Sequence, residues 1–293
     1  MTLSATVLVP THVHGPTLYQ SVGSALAQTI SDIEVIVIGD GVDETTRAIS
    51  ADLQRQDSRV RFMDFSKGPR NGEIHRHRAL ENAQGRIVCY LSDDDLWFPN
   101  HIAAMASMLQ GDVGLAHALP LLVEPDGNIA DRVVDLALPY YRKQVLAGRN
   151  LIPLSCGAHT LDAYRRLPMG WSTTPRAIGG TDTHMWQKLL RSGCGAMSGT
   201  QPTALVFPSP YRTGWPIERR VEELSRWRED VEAPAWRSAF VDRTLDRMVR
   251  KRAAELSGTP AGLLFGLLAQ TRLLNPLRRV RKAAKDVSAR VKR

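Results

Sequence analysis

Over the first ninety residues the apolar positions switch between two periods. Residues 6–9 and 33–38 are short apolar runs rich in β-branched side chains, as expected of strands buried on both faces of a parallel sheet. Between them Leu18, Val22, Ala25 and Leu26 recur at i, i+4, i+7 and i+8 behind Pro16, which predicts one face of a helix. Ile49 and Leu53 mark a second helix, and Val60, Phe62 and Phe65 a third strand. Residues 79–83 end a third helix before Gly85, and residues 87–91 form a fourth strand. This β-α-β-α-β-α-β order predicts an α/β layered sheet with right-handed crossovers.

Beyond residue 110 the alternation loosens. Residues 115–123, the turn Glu124-Pro125-Asp126-Gly127 and residues 128–134 predict a hairpin. Cys156-Gly157-Ala158-His159 reads as a strand followed by a short helix at Asp162, and Met185, Trp186, Leu189 and Leu190 give a helix with Asp182 in its first turn. Past Pro216 the chain turns rich in Arg and Glu, with Phe240, Leu245 and Met248 at helical spacing, so residues 217–227 and 235–256 read as surface helices. The predicted organisation is a main domain over 1–215, a helical extension packed on it over 216–260, and a basic amphipathic tail over 261–293.

Charge changes this picture at one end only. The formal net charge is +8, and from Arg272 to Arg293 nine basic residues face the single acid Asp286, so the tail carries the whole excess. A near-neutral main body argues against a nucleic-acid partner. The apolar run 261–269, too short to span a bilayer, joined to this basic stretch, has the profile of a segment lying on an anionic membrane surface. Three widely spaced cysteines give no disulfide or zinc pattern, and the first residues lack the basic start of a signal peptide. The expected location is the cytoplasm, with a peripheral position on the inner face of the membrane.

The candidate chemistry sits in Ser92-Asp93-Asp94-Asp95, directly after the fourth predicted strand. Adjacent carboxylates repel one another unless a cation such as Mg²⁺ or Mn²⁺ sits among them, and open α/β sheets bind ligands at the C-terminal ends of their strands. The same edge receives Pro10-Thr11-His12 from the first strand and Gly39-Asp40-Gly41 from the second.

In these segments the sequence resembles the family 2 glycosyltransferases with the GT-A fold, over roughly residues 4 to 210. The family's opening strand and helix resemble Val7-Leu8-Val9-Pro10-Thr11-His12 and Ser24-Ala25-Leu26-Ala27-Gln28-Thr29, and its second strand resembles Ile36-Val37-Ile38-Gly39-Asp40-Gly41. Its Ala-Arg-Asn helix is similar to His75-Arg76-His77-Arg78-Ala79-Leu80. Its acidic segment is similar to Leu91-Ser92-Asp93-Asp94-Asp95-Leu96-Trp97, and its Glu-Asp element to Thr181-Asp182-Thr183-His184-Met185-Trp186.

The resemblance implies a GT-A fold, a Rossmann-like mixed central sheet flanked by helices, with a C-terminal helical extension. It implies transfer of a sugar from a nucleoside-diphosphate sugar to a hydroxyl of a glycan, lipid-linked or other acceptor, by a single inverting displacement. Thr11, His12 and Asp40 would then hold the nucleoside, Arg70, Arg76 and Asp93 the ribose and diphosphate, Asp94 and Asp95 a Mn²⁺ or Mg²⁺ ion, and Asp182 would be the base. Trp171 and Tyr164 would stack on a sugar ring or serve as packing, and residues 171–175 form a loop able to flex over the donor.

Four positions depart from the family pattern: Gly39 and Ser92 replace acids, His77 replaces an Asn and Thr181 replaces a Glu. They motivate the alternative of a non-catalytic nucleotide-sugar or glycan-binding scaffold. A glycosidase built on Asp94 and Asp182 has no support from the motif order. A nucleotidyltransferase would want a Gly-rich phosphate loop, where residues 10–16 offer only Gly15.

Overall fold

A computed structural model describes residues 2–258. The expected membrane-surface tail, 261–293, lies outside the described residues. In chain order the first half contains β1 (Leu3–Thr11), α1 (Leu18–Leu26), β2 (Ile33–Asp40), α2 (Glu44–Gln56), β3 (Val60–Phe65), α3 (Glu73–Glu81) and β4 (Gly85–Tyr90). This is the predicted alternation. The helix α3 begins well before the predicted apolar stretch, because His75, Arg76, His77 and Arg78 hide its period from a hydrophobicity reading.

The second half adds β5 (Leu96–Trp97), α4 (His101–Met108), β6 (Val113–His117), β7 (Leu121–Val123), β8 (Ile129–Asp131), α5 (Pro139–Leu146), β9 (Gly157–Thr160), α6 (Leu161–Arg165), α7 (Thr181–Arg191), β10 (Gly195–Ser198), β11 (Ala204–Val206), α8 (Ile217–Glu232) and α9 (Pro234–Ser257). The central sheet runs β10-β6-β9-β4-β1-β2-β3, and a smaller sheet runs β5-β11-β7-β8. Within the central sheet β9 lies antiparallel between β4 and β6 while the other pairs are parallel, so the sheet is mixed.

Alternation along β1 divides the core between two layers. Val7 and Val9 join Leu18 and Val22 of α1 on one face, while Leu8 joins Leu80 of α3 and Tyr90 on the other. The fold is thus the α/β arrangement of a mixed sheet covered on both faces by helices.

The chain divides into a compact unit from Met1 to Arg237 and a second from Ser238, whose described part is the continuation of α9 to Ser257. No helix among the described residues is long and apolar enough to cross a membrane. Within the first unit one face of α8 is buried, and it includes the charged Arg220 and Glu223 beside Leu224. The cause is a fork between the buried Arg212 and Glu223, with Nε to Oε2 at 2.5 Å and a second guanidinium nitrogen to Oε1 at 2.6 Å. Arg212 also donates to the Val123 carbonyl, so one cation ties the turn at Ser209–Arg212, strand β7 and helix α8 together.

Candidate active site

Strand register sets the location of the site. Thr11 pairs with Gly39, Gly39 with Asp64, and the Leu91 N–H donates to the Leu8 carbonyl, so β1, β2 and β4 all end along one edge. A cleft of about 780 Å³ opens there. Of the residues singled out from sequence, Thr11, His12, Asp40, Arg70, Arg76, Asp93, Asp94 and Asp182 line it. Asp95 does not.

At one end of the cleft stands Asp40, the last residue of β2. Its Oδ2 accepts from Lys67 Nζ at 2.5 Å, and its Oδ1 accepts from the Gly68 N–H at 2.6 Å. The His75 ring, stacked on Phe65, reaches to 3.4 Å of Oδ1. Gly72 closes the group at φ 62°, where a Cβ would lie 2.3 Å from the Asp40 carboxyl carbon. No side chain fits at that position. Arg70 holds φ 56°, an uncommon conformation for a residue with a Cβ, in the turn that carries it to the cleft. A Cβ on Gly39 would sit 3.0 Å from the Phe62 ring, so a side chain there would require its neighbours to give by a few tenths of an ångström.

The acidic segment occupies the other end. Asp93 accepts from Thr11 Oγ1 at 2.7 Å and contacts His14 Nδ1 at 3.3 Å. Asp94 Oδ2 accepts from Ser209 Oγ at 2.6 Å and from Arg220 at 3.0 Å. His14, Asp93 and Asp94 each offer a ligand atom, all within 4.8 Å of one another. Two carboxylates and an imidazole form a mostly hard donor set that fits Mn²⁺ or Mg²⁺. Burial first, and then the charge of Asp93, raises the Asp94 pKa. The Asp93 hydrogen bond raises that of His14.

Asp95 lies behind this group. Ser155 donates to its Oδ2 and the Phe207 N–H donates to its Oδ1 at 2.7 Å, so it joins the acidic turn to the segment after β11. Burial and the neighbouring Asp94 push its pKa up to about 8. The side chain that joins Asp93 and Asp94 within this distance is His14; Asp95, expected from the acidic run, is not in the group.

Asp182 sits in the first turn of α7, after Gly180. Its Oδ1 accepts from the Thr183 N–H at 2.8 Å, and Asn150 approaches Oδ2 at 3.4 Å. Burial raises its pKa, opposed by the Thr183 hydrogen bond and the positive charge of Arg76. Arg76 is itself buried, lies 4.6 Å from the Trp171 ring centre, and contacts Thr181 at 3.4 Å, while its Nε has no hydrogen-bond partner.

Trp171 and Tyr164 serve as packing. Trp171 is buried and donates through Nε1 to the Tyr90 hydroxyl at 2.8 Å, while the Tyr164 hydroxyl accepts from the Trp171 N–H and bonds His77 at 2.7 Å. The segment 171–175 is tied at its middle: the Thr174 N–H donates to the buried Glu73 at 3.1 Å. Lys67, His14, Ser209 and Arg220 were not singled out from sequence. His14 adjoins the Pro10-Thr11-His12 segment, so proximity was the one available signal. Arg220 carried none, being 126 residues from Asp94.

With this geometry in hand, comparison with known proteins is direct. Residues 6–161 match the model of the glycosyl transferase family 2. A GalNAc(5)-diNAcBac-PP-undecaprenol beta-1,3-glucosyltransferase of Campylobacter jejuni is 29% identical over 128 residues, 42% of this chain and 40% of that protein. The UDP-Glc:alpha-D-GlcNAc-diphosphoundecaprenol beta-1,3-glucosyltransferase WfgD of Escherichia coli is 30% identical over 105 residues, 35% of this chain and 40% of that protein. The chain therefore spans about two fifths of the length of these curated relatives. Among solved structures, the mannosyltransferase PcManGT of Pyrobaculum calidifontis, in complex with GDP-Man and Mn²⁺, superposes with a TM-score of 0.54 at 18% identity, covering 95% of this chain and 83% of that one. Residues 1–349 of TarS from S. aureus give 0.57 at 13% identity, covering 77% and 64%. The chain belongs to glycosyl transferase family 2, and its fold is that of GT-A enzymes.

Proposed function

We propose that this family 2 protein transfers a sugar from a nucleoside-diphosphate sugar to a hydroxyl of a saccharide acceptor, inverting the anomeric centre. The observation that carries the reading is the meeting of three functions in one cleft. Asp40 stands at one end, the His14, Asp93 and Asp94 group at the other, and the buried base candidate Asp182 opens onto the same space.

In this reading Thr11, His12 and Asp40 receive the nucleoside, and Asp40 becomes available as Lys67 releases it. Arg70 and Arg76 face the diphosphate, where guanidinium groups match phosphate oxygens. A divalent ion held by His14, Asp93 and Asp94 would offset the charge left on the departing nucleoside diphosphate. Asp182 takes the proton of the acceptor hydroxyl as its oxygen bonds to the anomeric carbon. The bond from that carbon to the phosphate oxygen breaks, and its electron pair leaves with the diphosphate. Burial raises the Asp182 pKa and so makes it a stronger base than an ordinary carboxylate, opposed by the Thr183 N–H and the positive charge of Arg76.

The acceptor we propose is a lipid-linked saccharide, by likeness to the two bacterial relatives, both named for diphosphoundecaprenol-linked substrates. The basic stretch within 261–293 would hold the protein at an anionic membrane surface.

Screening nucleotide sugars for Mn²⁺-dependent binding and slow donor hydrolysis tests the reading. Asp182→Asn should keep donor binding and lose about 10²- to 10⁴-fold in turnover, the usual range for general-base catalysis. Absence of donor binding with every divalent cation would overturn it. Metal-dependent binding with no turnover toward any acceptor or water would favour the binding-scaffold alternative.

A further inference from the structure

The contacts of Arg220 on the acidic group are those a metal would need. One of its terminal nitrogens donates to His14 Nε2 at 2.6 Å, the other to Asp94 Oδ2 at 3.0 Å and to Ser209 Oγ at 2.8 Å. A guanidinium has donors only, so Nε2 of His14 accepts; the ring proton then sits on Nδ1, facing Asp93. That tautomer presents Nε2, the one ring lone pair, to whatever cation lies beside Asp94. The cation in place is Arg220.

We propose that Arg220 is a built-in competitor for the metal site, and that it must leave His14 Nε2 and Asp94 Oδ2 before either atom can ligate a divalent ion. The inference rests on the metal-site reading given above. Two features make the arrangement an exchange rather than a permanent ion pair. Arg220 is buried, yet its Nε has no hydrogen-bond partner, so the guanidinium is under-satisfied where it stands. It also enters from α8, and the Arg212–Glu223 fork holds the start of that helix and the turn bearing Ser209 as one piece. Release of Arg220 therefore has a structural consequence beyond one side chain. Metal binding becomes coupled to the link between the Ser209–Arg212 turn and α8.

Without Arg220, Asp93 and Asp94 would face one another with the neutral imidazole as their partner. With it, one of the two negative charges is offset while the site waits for its ion. The hydrogen bonds and ion pair of Arg220 all go to the acidic group and Ser209, and none to Asp40 or Asp182.

The test uses Mn²⁺ alone, with no nucleotide, on the full chain, and measures the dissociation constant by electron paramagnetic resonance of free ion. Arg220→Met should bind Mn²⁺ at least tenfold more tightly than the wild type, and Arg220→Lys, which keeps the charge, should stay within about threefold of it. Hydrogen exchange gives a second readout: Mn²⁺ should alter amide protection across 209–223 in the wild type and leave it unaltered in Arg220→Met. Wild-type affinity or weaker in Arg220→Met, with a cooperative unfolding transition, would overturn the competitor role and leave the metal site standing. No Mn²⁺ binding in either protein would overturn both.

Discussion

The two ends of the cleft each hold a carboxylate against a cation, and they are built in opposite ways. At the Asp40 end the cation is Lys67, whose side chain is 44% exposed, and the remaining partners come from the local turn, Gly68 and His75. At the Asp94 end the cation is Arg220, with 8% of its side chain exposed, delivered from the far end of the unit and backed by the buried Arg212–Glu223 fork. The first pair is a contact that water and salt can replace. The second is a desolvated contact that costs several kcal/mol to break on one side only. The Asp40 end is therefore set by a loop, and the acidic end by the packing of a helix.

The largest effect should follow from breaking the support of the buried end. Glu223→Ala leaves the Arg212 guanidinium buried without its carboxylate and should lower stability by about 3–5 kcal/mol, read from denaturant unfolding. A loss below about 1 kcal/mol would mean that the two ends are held by similar means.

A pH series sharpens the contrast at intermediate size. The Asp95 carboxyl has an ordinary value of 3.8 and is pushed up to about 8 in the fold, so the fold binds its proton more tightly than the unfolded chain does. Its stabilising contribution is full below about 4 and is lost as pH rises through about 8. Without added metal, melting temperature should fall across that window, and Asp95→Asn, which cannot ionise, should flatten the slope. An unchanged slope would show that Asp95 does not carry this dependence.

The smallest effect belongs to the exposed end. Lys67→Met should change stability by less than about 1 kcal/mol in the same unfolding experiment, since surface ion pairs contribute little and Gly68 still satisfies Asp40. A loss as large as that of Glu223→Ala would erase the distinction between the ends.

Which parts were legible follows the same division. Short apolar runs such as Ile87-Val88-Cys89 announce buried strands because a side chain's face is set by local alternation, and the residues that end those strands share an edge by topology. Thr11, Asp40, Asp93 and Asp94 were readable for that reason. What stays hidden in α8 is its buried ion pair, because Arg and Glu look like solvent-facing residues when counted along the chain, whereas Arg212 and Glu223 are both buried and paired with each other. Asp95 is placed from sequence beside Asp94, as a further ligand or a support for one, because adjacency hides direction. One residue further along the turn, it points at Ser155 and Phe207 instead of the cleft.

By itself the sequence determined the alternation of strands and helices over the first ninety residues, the edge on which Thr11, Asp40, Asp93 and Asp94 gather, and the family, because each depends on periodicity and on motifs within a few residues of one another. Tertiary structure alone decided which side chains complete the acidic group and how its charge is balanced. His14, Ser209 and Arg220 meet Asp93 and Asp94 only when β1, the turn after β11 and α8 close on one another. Charge balance in a desolvated site depends on distance in space, and no local pattern in the chain encodes a contact made across 126 residues.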